Sequence, residues 1–283
     1  MTSPKLCIIG QPVAYSRSPL LHGYWMEKHG LSGSYDREEV PLDQAADFFA
    51  GFIARGYTGG NVTAPDKEVA FRSVAHADET ARALGAVNTL WVEDGHLMGG
   101  NTDVYGFIAN LDANAPGWQQ SDRPVVVLGA GGASRAILFG LLKAGVERIH
   151  LANRTLEKAE RLAALFGPKV TALPLADVAR PMAEAGVLVN TTSLGMKGHP
   201  PLDLDLSVLP DDAVVTDAVY VPLETPLLKA ARARGLRVVD GLGMLLHQGV
   251  PGFERWFGVR PEVDEALRAR LVEDLRAKGQ LEA

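Results

Sequence analysis

Residues Val125–Thr155 read VVVLGAGGASRAILFGLLKAGVERIHLANRT. An apolar run of strand character meets Gly129-Ala130-Gly131-Gly132-Ala133. An amphipathic segment follows, and a second apolar run ends in Asn153-Arg154-Thr155. Strand, glycine turn, helix, strand is the unit on which a dinucleotide lies. Glycine permits the tight turn and lets a pyrophosphate approach backbone N–H groups at the helix N-terminus. Gly129, Ala130, Gly131, Gly132 and Ala133 are the expected cofactor loop, with Ser134 where the usual fingerprint has its third glycine. An acid closing the second strand would accept a hydrogen bond from a ribose 2′-hydroxyl. It would repel a 2′-phosphate, which a guanidinium attracts. Here Asn153, Arg154 and Thr155 close the strand, and Lys158 stands one helical turn beyond Arg154. The expected cofactor is therefore NADP rather than NAD, although Glu157 lies near and opposes the preference slightly.

The same alternation extends to both sides. KLCIIG reads as a strand and PLLHGYWMEKHG as a helix. A strand ends around SYDREEVPL, and DQAADFFAGFIARG reads as helical. After GGNV come helices from about Asp66 and from Asp78. AVNTLWVEDGHLMGG reads as two strands joined at Asp94-Gly95, a strong hairpin signal. This is the pattern of an α/β protein with largely parallel sheets. A break falls near Pro116-Gly117-Trp118, and the pattern restarts at Pro124. The expected division is 1–105, 106–240, and a C-terminal segment 241–283. Its helices, Leu242 to Trp256 and Pro261 to Lys278, are expected to return to the first domain.

The chain has 283 residues, 47% hydrophobic and 22% charged, which suits an ordinary globular protein. A net charge of −6 without a long basic run argues against a nucleic-acid surface. One cysteine, Cys7, excludes an intramolecular disulfide and reads as a small core residue. No leader pattern and no membrane-length apolar run is visible, so a cytoplasmic protein is the default expectation. No His, Cys, Asp and Glu cluster has metal-ligand spacing.

Polar residues of the first domain crowd the loops between strands and helices. They are Tyr15-Ser16-Arg17-Ser18-Pro19, Asn61-Val62-Thr63-Ala64-Pro65-Asp66-Lys67, Asn88-Thr89 and Asn101-Thr102-Asp103. Each has a plain structural reading. Ser16 or Ser18 suits a helix cap, Pro65 a first helical position, and Asp66 or Asp103 a helix start. Together they supply what a small polyhydroxy acid needs, and loops at strand ends line the crevice of such sheets. Oxidising an alcohol by hydride transfer also requires a proton to leave its hydroxyl. A lysine beside a carboxylate can take it, and none of the seven histidines has a stronger claim than Lys67.

The motifs YSRSP, NVTAPDKE, GAVNT, GNTD, GAGGASRA, NRT, NTTSLGM, VYVPLETP and DGLGMLLHQ occur in that order. In this the chain resembles the shikimate dehydrogenase family from end to end. The resemblance implies two α/β domains around a cleft, a substrate domain and a Rossmann-like nucleotide domain. It implies NADPH-dependent, reversible reduction of 3-dehydroshikimate to shikimate in aromatic amino acid biosynthesis, by a monomer or homodimer. It makes Lys67 the acid/base and Asp103 its partner. Ser16, Ser18, Thr63, Asn88, Asp103, Tyr220 and Gln248 match substrate positions. The two serines would bind the carboxylate, and Asn88, Asp103 and Gln248 the ring hydroxyls. Gly129 to Ala133, Asn153 to Lys158, Ala218, Gly241 and Met244 match cofactor positions, with Glu79 an addition. Departures are Val104 after GNTD, Lys158 where arginine is common, and Asp66 where the family has an uncharged residue. Asp66 is expected to point outward. Alternatives are a relative acting on quinate or an aminoshikimate with NAD, and a ligand sensor without turnover.

Overall fold

The computed structural model describes residues 3–120 and 122–281. Contacts divide the chain into two compact units, Met1–Asp103 with Gln248–Val272, and Val104–His247 with Glu273–Ala283.

The first unit begins with β1 (Lys5–Gly10), α1 (Ser18–His29), β2 (Ser34–Glu39), α2 (Ala45–Ala50), β3 (Gly59–Val62) and α3 (Lys67–Ser73). It continues with β4 (His76–Ala77), α4 (Glu79–Leu84), β5 (Thr89–Glu93) and β6 (His96–Gly100). The strand order is β2-β1-β3-β5-β6-β4. Only β5 reverses direction, pairing antiparallel with β3 and β6. The reversal comes at Asp94-Gly95, where both residues take positive φ (51° and 75°), as the hairpin dipeptide foretold. One face buries Cys7, Ile9, Val62 and Leu90 against Phe48, Phe52 and Ala70. The region 43–56, expected to be one helix, is shorter: α2 ends at Ala50 and turns follow.

The second unit starts within α5 (Asp103–Asn114). It holds β7 (Val125–Leu128), α6 (Gly132–Lys143), β8 (Ile149–Asn153), α7 (Leu156–Ala164), β9 (Val170–Pro174) and α8 (Ala179–Glu184). After these come β10 (Val187–Asn190), β11 (Val214–Asp217), α9 (Pro226–Ala233) and β12 (Arg237–Val239). All six strands are parallel, in the order β12-β11-β10-β7-β8-β9. In β7, Val125 and Val127 face one apolar cluster while Val126 and Leu128 face another. Burial on both faces explains why these strands read as unbroken apolar runs.

Two C-terminal helices complete the chain, α10 (Leu242–Phe257) and α11 (Glu265–Ala277). From Gln248 onward α10 lies against α1, so close that a Cβ on Gly249 would sit 2.4 Å from the Leu21 side chain. Trp256 lies over β3 and donates to the Leu90 carbonyl (2.8 Å). Helix α11 starts later than Pro261, because the Asp264 carboxylate accepts from the Leu267 N–H (2.7 Å) and so caps it.

Candidate active site

Lys67 is the first residue of α3, reached through a tight turn in which the Asp66 N–H donates to the Thr63 carbonyl (3.1 Å). Asp103 is the first residue of α5. Its N–H donates to the Asn101 side chain (3.0 Å), which is itself anchored on the Ala86 carbonyl (3.0 Å). These two helix starts bring Lys67 Nζ within 2.6 Å of Asp103 Oδ2. The other carboxylate oxygen accepts from Asn88 Nδ2 at 2.9 Å. Asn88 Oδ1 accepts from the Thr102 N–H (2.8 Å), and that backbone donor fixes which end of the amide faces Asp103. The pair is not sealed off: the Lys67 side chain is 28% exposed and that of Asp103 13%.

The structure thus joins Lys67, Asp103 and Asn88 in one cluster. Ser16 and Ser18, both half-buried, lie with their hydroxyls 3.3 Å apart at the start of α1. The Thr63 N–H donates to the Ile9 carbonyl, and its methyl group fills the space that a Cβ on Gly10 would need. Gln248 is half-buried on α10 within the same unit. Glu79 lies exposed in the first turn of α4.

Asp66 departs from expectation. It is fully buried, and neither carboxylate oxygen has a hydrogen-bond partner. Burial pushes its pKa up. It does not act as a helix-start acid: the side chain makes no cap, and Pro65 lies ahead of the helix rather than in its first turn. The tight turn that delivers Lys67 leads Asp66 inward instead.

A buried network behind Asn88 was not legible as functional. Asn61 donates to the Asn88 carbonyl (3.2 Å) and to Thr89 Oγ1 (3.3 Å), and Thr89 Oγ1 donates to Asn88 Oδ1 (2.8 Å). Asn61 Oδ1 meets Tyr35 OH (2.6 Å) and His22 Nε2 (3.2 Å). The available signal was an asparagine inside the short strand GGNV and a histidine beside Leu21 and Trp25 on α1.

In the second unit, the strand order reverses between β7 and β10, the place where open parallel sheets bind nucleotides. Gly129 takes φ 103°, and a Cβ there would stand 2.8 Å from Thr191 Oγ1. Glycine is required at this turn on both counts. Ser134 explains its own presence. Its hydroxyl donates to the Gly129 carbonyl (2.7 Å), accepts from the Gly131 N–H (3.1 Å) and lies 2.6 Å from Thr191 Oγ1. It laces the turn to the chain after β10. Gly131, Gly132 and Ala133 are exposed, and a Cβ on Gly131 or Gly132 would meet no atom within 4 Å. Open space over a helix N-terminus fits a pyrophosphate. At the end of β8, the Asn153 amide ties back to the Thr155 carbonyl (2.8 Å), leaving Arg154 and Lys158 exposed. Neither makes an ion pair among the described residues, so both charges are available to a phosphate. Gly241 packs on the Ala218 and Val219 carbonyls, and Met244 packs at the edge of an apolar cluster. Half-buried Tyr220 lies in the loop between β11 and α9. No group of metal-ligating side chains occurs among the described residues, and no helix is long and apolar enough to cross a membrane.

A parallel sheet with its order reversal at a glycine turn, in a chain whose other unit sets an ammonium beside a carboxylate, fits a nicotinamide-dependent dehydrogenase. Family models place it more finely. Residues 8–90 match the shikimate dehydrogenase substrate binding domain, 113–196 the shikimate/quinate 5-dehydrogenase, and 241–269 the shikimate 5′-dehydrogenase C-terminal domain. The chain is 63% identical over 279 residues to shikimate dehydrogenase (NADP(+)) of Azorhizobium caulinodans, covering 99% of each. It is similar to the crystal structure of Thermus thermophilus shikimate 5-dehydrogenase in complex with NADP(H) and shikimate. There the TM-score is 0.84 and the identity 36%, over 94% of this chain and 99% of that one. Quinate dehydrogenase from Corynebacterium glutamicum in complex with NAD is also similar, with TM-score 0.88 and 32% identity over 96% and 99%. The chain belongs to the shikimate dehydrogenase family.

Proposed function

We propose that this protein catalyses the reversible, NADPH-dependent reduction of 3-dehydroshikimate to shikimate, a step in aromatic amino acid biosynthesis. The observation that carries the chemistry is the 2.6 Å contact between Lys67 Nζ and Asp103 Oδ2, partly open to solvent. The first unit holds the substrate. The paired hydroxyls of Ser16 and Ser18 suit a carboxylate, and the Asn88, Asp103 and Gln248 side chains suit ring hydroxyls, with Thr63 beside them. The second unit holds NADP: Gly129 to Ala133 under the pyrophosphate, and Asn153, Arg154, Thr155 and Lys158 around the 2′-phosphate. Ala218, Gly241 and Met244 would complete the cofactor site. When bound, the nucleotide supplies the hydride.

The chain's own task is the proton. In reduction the Lys67 ammonium gives a proton to the carbonyl oxygen as that oxygen gains charge. The neutral amine then recovers a proton from solvent, to which the side chain is exposed. Asp103 fixes the ammonium in place and orients the neighbouring hydroxyl. In oxidation the same amine receives the hydroxyl proton.

The expectation extends to a cytoplasmic enzyme whose partner is a small molecule. Lys67→Ala should lower turnover by roughly two to four orders of magnitude with the fold intact. Steady-state rates with shikimate and quinate, each with NADP⁺ and NAD⁺, test the assignment. The highest kcat/KM is expected for shikimate with NADP⁺. A preference for quinate or NAD⁺ would replace it by the neighbouring activity, and tight binding without turnover would make the protein a sensor.

A further inference from the structure

The side chains behind Asn88 form a chain in which the Asn88 carbonyl and the Thr102 N–H fix the orientation of the Asn61 and Asn88 amides. The Asn88 carbonyl can only accept, so the Asn61 atom facing it is the amide nitrogen (3.2 Å). Asn61 Oδ1 therefore faces the other way, toward Tyr35 OH (2.6 Å) and His22 Nε2 (3.2 Å). Both of these must donate. His22 is thereby held as the Nε2–H tautomer, and its Nδ1 is buried without a partner. Donation continues from Asn61 Nδ2 to Thr89 Oγ1, from Thr89 Oγ1 to Asn88 Oδ1, and from Asn88 Nδ2 to Asp103.

The imidazole is also locked in place. It stacks on Tyr35 (ring centroids 4.6 Å apart, 19°) and parallel to Phe253 (6.1 Å, 3°), with Trp25 and Trp256 edge-on. These residues come from β2, α10 and the ring's own helix. The one titratable group among them is the Tyr35 phenol, itself held neutral by burial. No charge acts on the ring, and burial lowers the His22 pKa to about 3. A protonated or Nδ1–H imidazole would set a lone pair or an extra proton where nothing can answer it.

Accepting the dehydrogenase reading above, we propose that His22 and Tyr35 are positioning residues for the Lys67–Asp103 pair, acting through the amides of Asn61 and Asn88. They touch no reacting atom. They fix the Asn61 amide, which with Thr89 steadies Asn88, and Asn88 sets the Asp103 carboxylate.

Two measurements test this. In the intact protein with 15N-labelled histidine, His22 is expected to show a protonated Nε2 and a bare Nδ1, unchanged from pH 5 to 9. An Nδ1–H tautomer, or titration in that range, overturns the proposal whatever the substrate proves to be. Kinetically, Tyr35→Phe removes a single oxygen and is expected to lower kcat about tenfold, with the NADPH KM unchanged and the acid limb of the pH–rate profile displaced. His22→Leu should do the same, and His22→Gln, which restores an N–H donor, should recover most of the rate. A folded Tyr35→Phe protein with wild-type kcat and pH profile overturns the proposal even if His22→Leu fails to fold. Absence of shikimate turnover in the wild type would instead defeat the functional reading and leave the tautomer measurement valid.

Discussion

Asp66 and His22 are both buried, and they impose opposite slopes on stability. Asp66 has its pKa raised by desolvation, so the folded state keeps a proton that the unfolded state releases. Stability therefore falls as pH rises from below the usual carboxylate range up to the folded value, then levels. Asp66→Asn should abolish that fall. In urea unfolding from pH 3 to 7, the variant's advantage is expected to grow with pH; parallel curves would contradict the burial effect. His22, at about 3 in the fold against 6.5 unperturbed, binds fewer protons folded than unfolded between those values. Its contribution is complete above pH 6.5 and declines by about 1.4 kcal/mol per unit as pH falls toward 3. His22→Gln should flatten this acid limb in the same titration.

At the scale of elements, two loops of the second unit carry testable weight. Gly129→Ala places a Cβ at φ 103° and 2.8 Å from Thr191 Oγ1. It should cost about 1–3 kcal/mol in urea unfolding and weaken nucleotide binding measured by fluorescence titration. Arg154 is exposed after β8, so its removal should spare the fold. Arg154→Ala is expected to raise the NADPH KM about ten- to a hundredfold while leaving the NADH KM nearly unchanged, since only a 2′-phosphate uses the charge. Equal effects on both cofactors would remove Arg154 from that role. These loops were readable in the sequence because their logic is local. A strand, its glycine turn, the helix that follows and the end of the next strand lie within 31 consecutive residues. The elements of the first unit were readable only in part. The segment expected as one long helix stops at Ala50, and Pro65 falls outside α3, because packing and turn geometry override local pattern there.

In the molecule as a whole, the first unit is built from distant parts of the chain. Trp25 Nε1 donates to the Glu262 carbonyl (2.9 Å), and Lys28 pairs with Asp264 (2.7 Å). Tyr24 OH also reaches Asp264, and Leu267 and Leu271 of α11 are fully buried. A chain ending at Gly258 would uncover these contacts. It is expected to lose about 3–5 kcal/mol, read as a lower urea midpoint by tryptophan fluorescence. An unchanged midpoint would show that α11 adds nothing to this core.

Amphipathic period, glycine turns and the basic end of β8 were properties of neighbouring residues, and they sufficed for the fold class and for the expectation of NADP. The ordered motifs pointed to Lys67 and Asp103, but their 2.6 Å pairing spans 36 positions and exists only once two helix starts meet. The inward turn of Asp66, the tautomer of His22 and the hydrogen-bond direction from Tyr35 to Asp103 were decided by tertiary structure alone. Burial and acceptor geometry set them, and both depend on strands and helices far apart in the chain, such as α10 closing over the ring of His22.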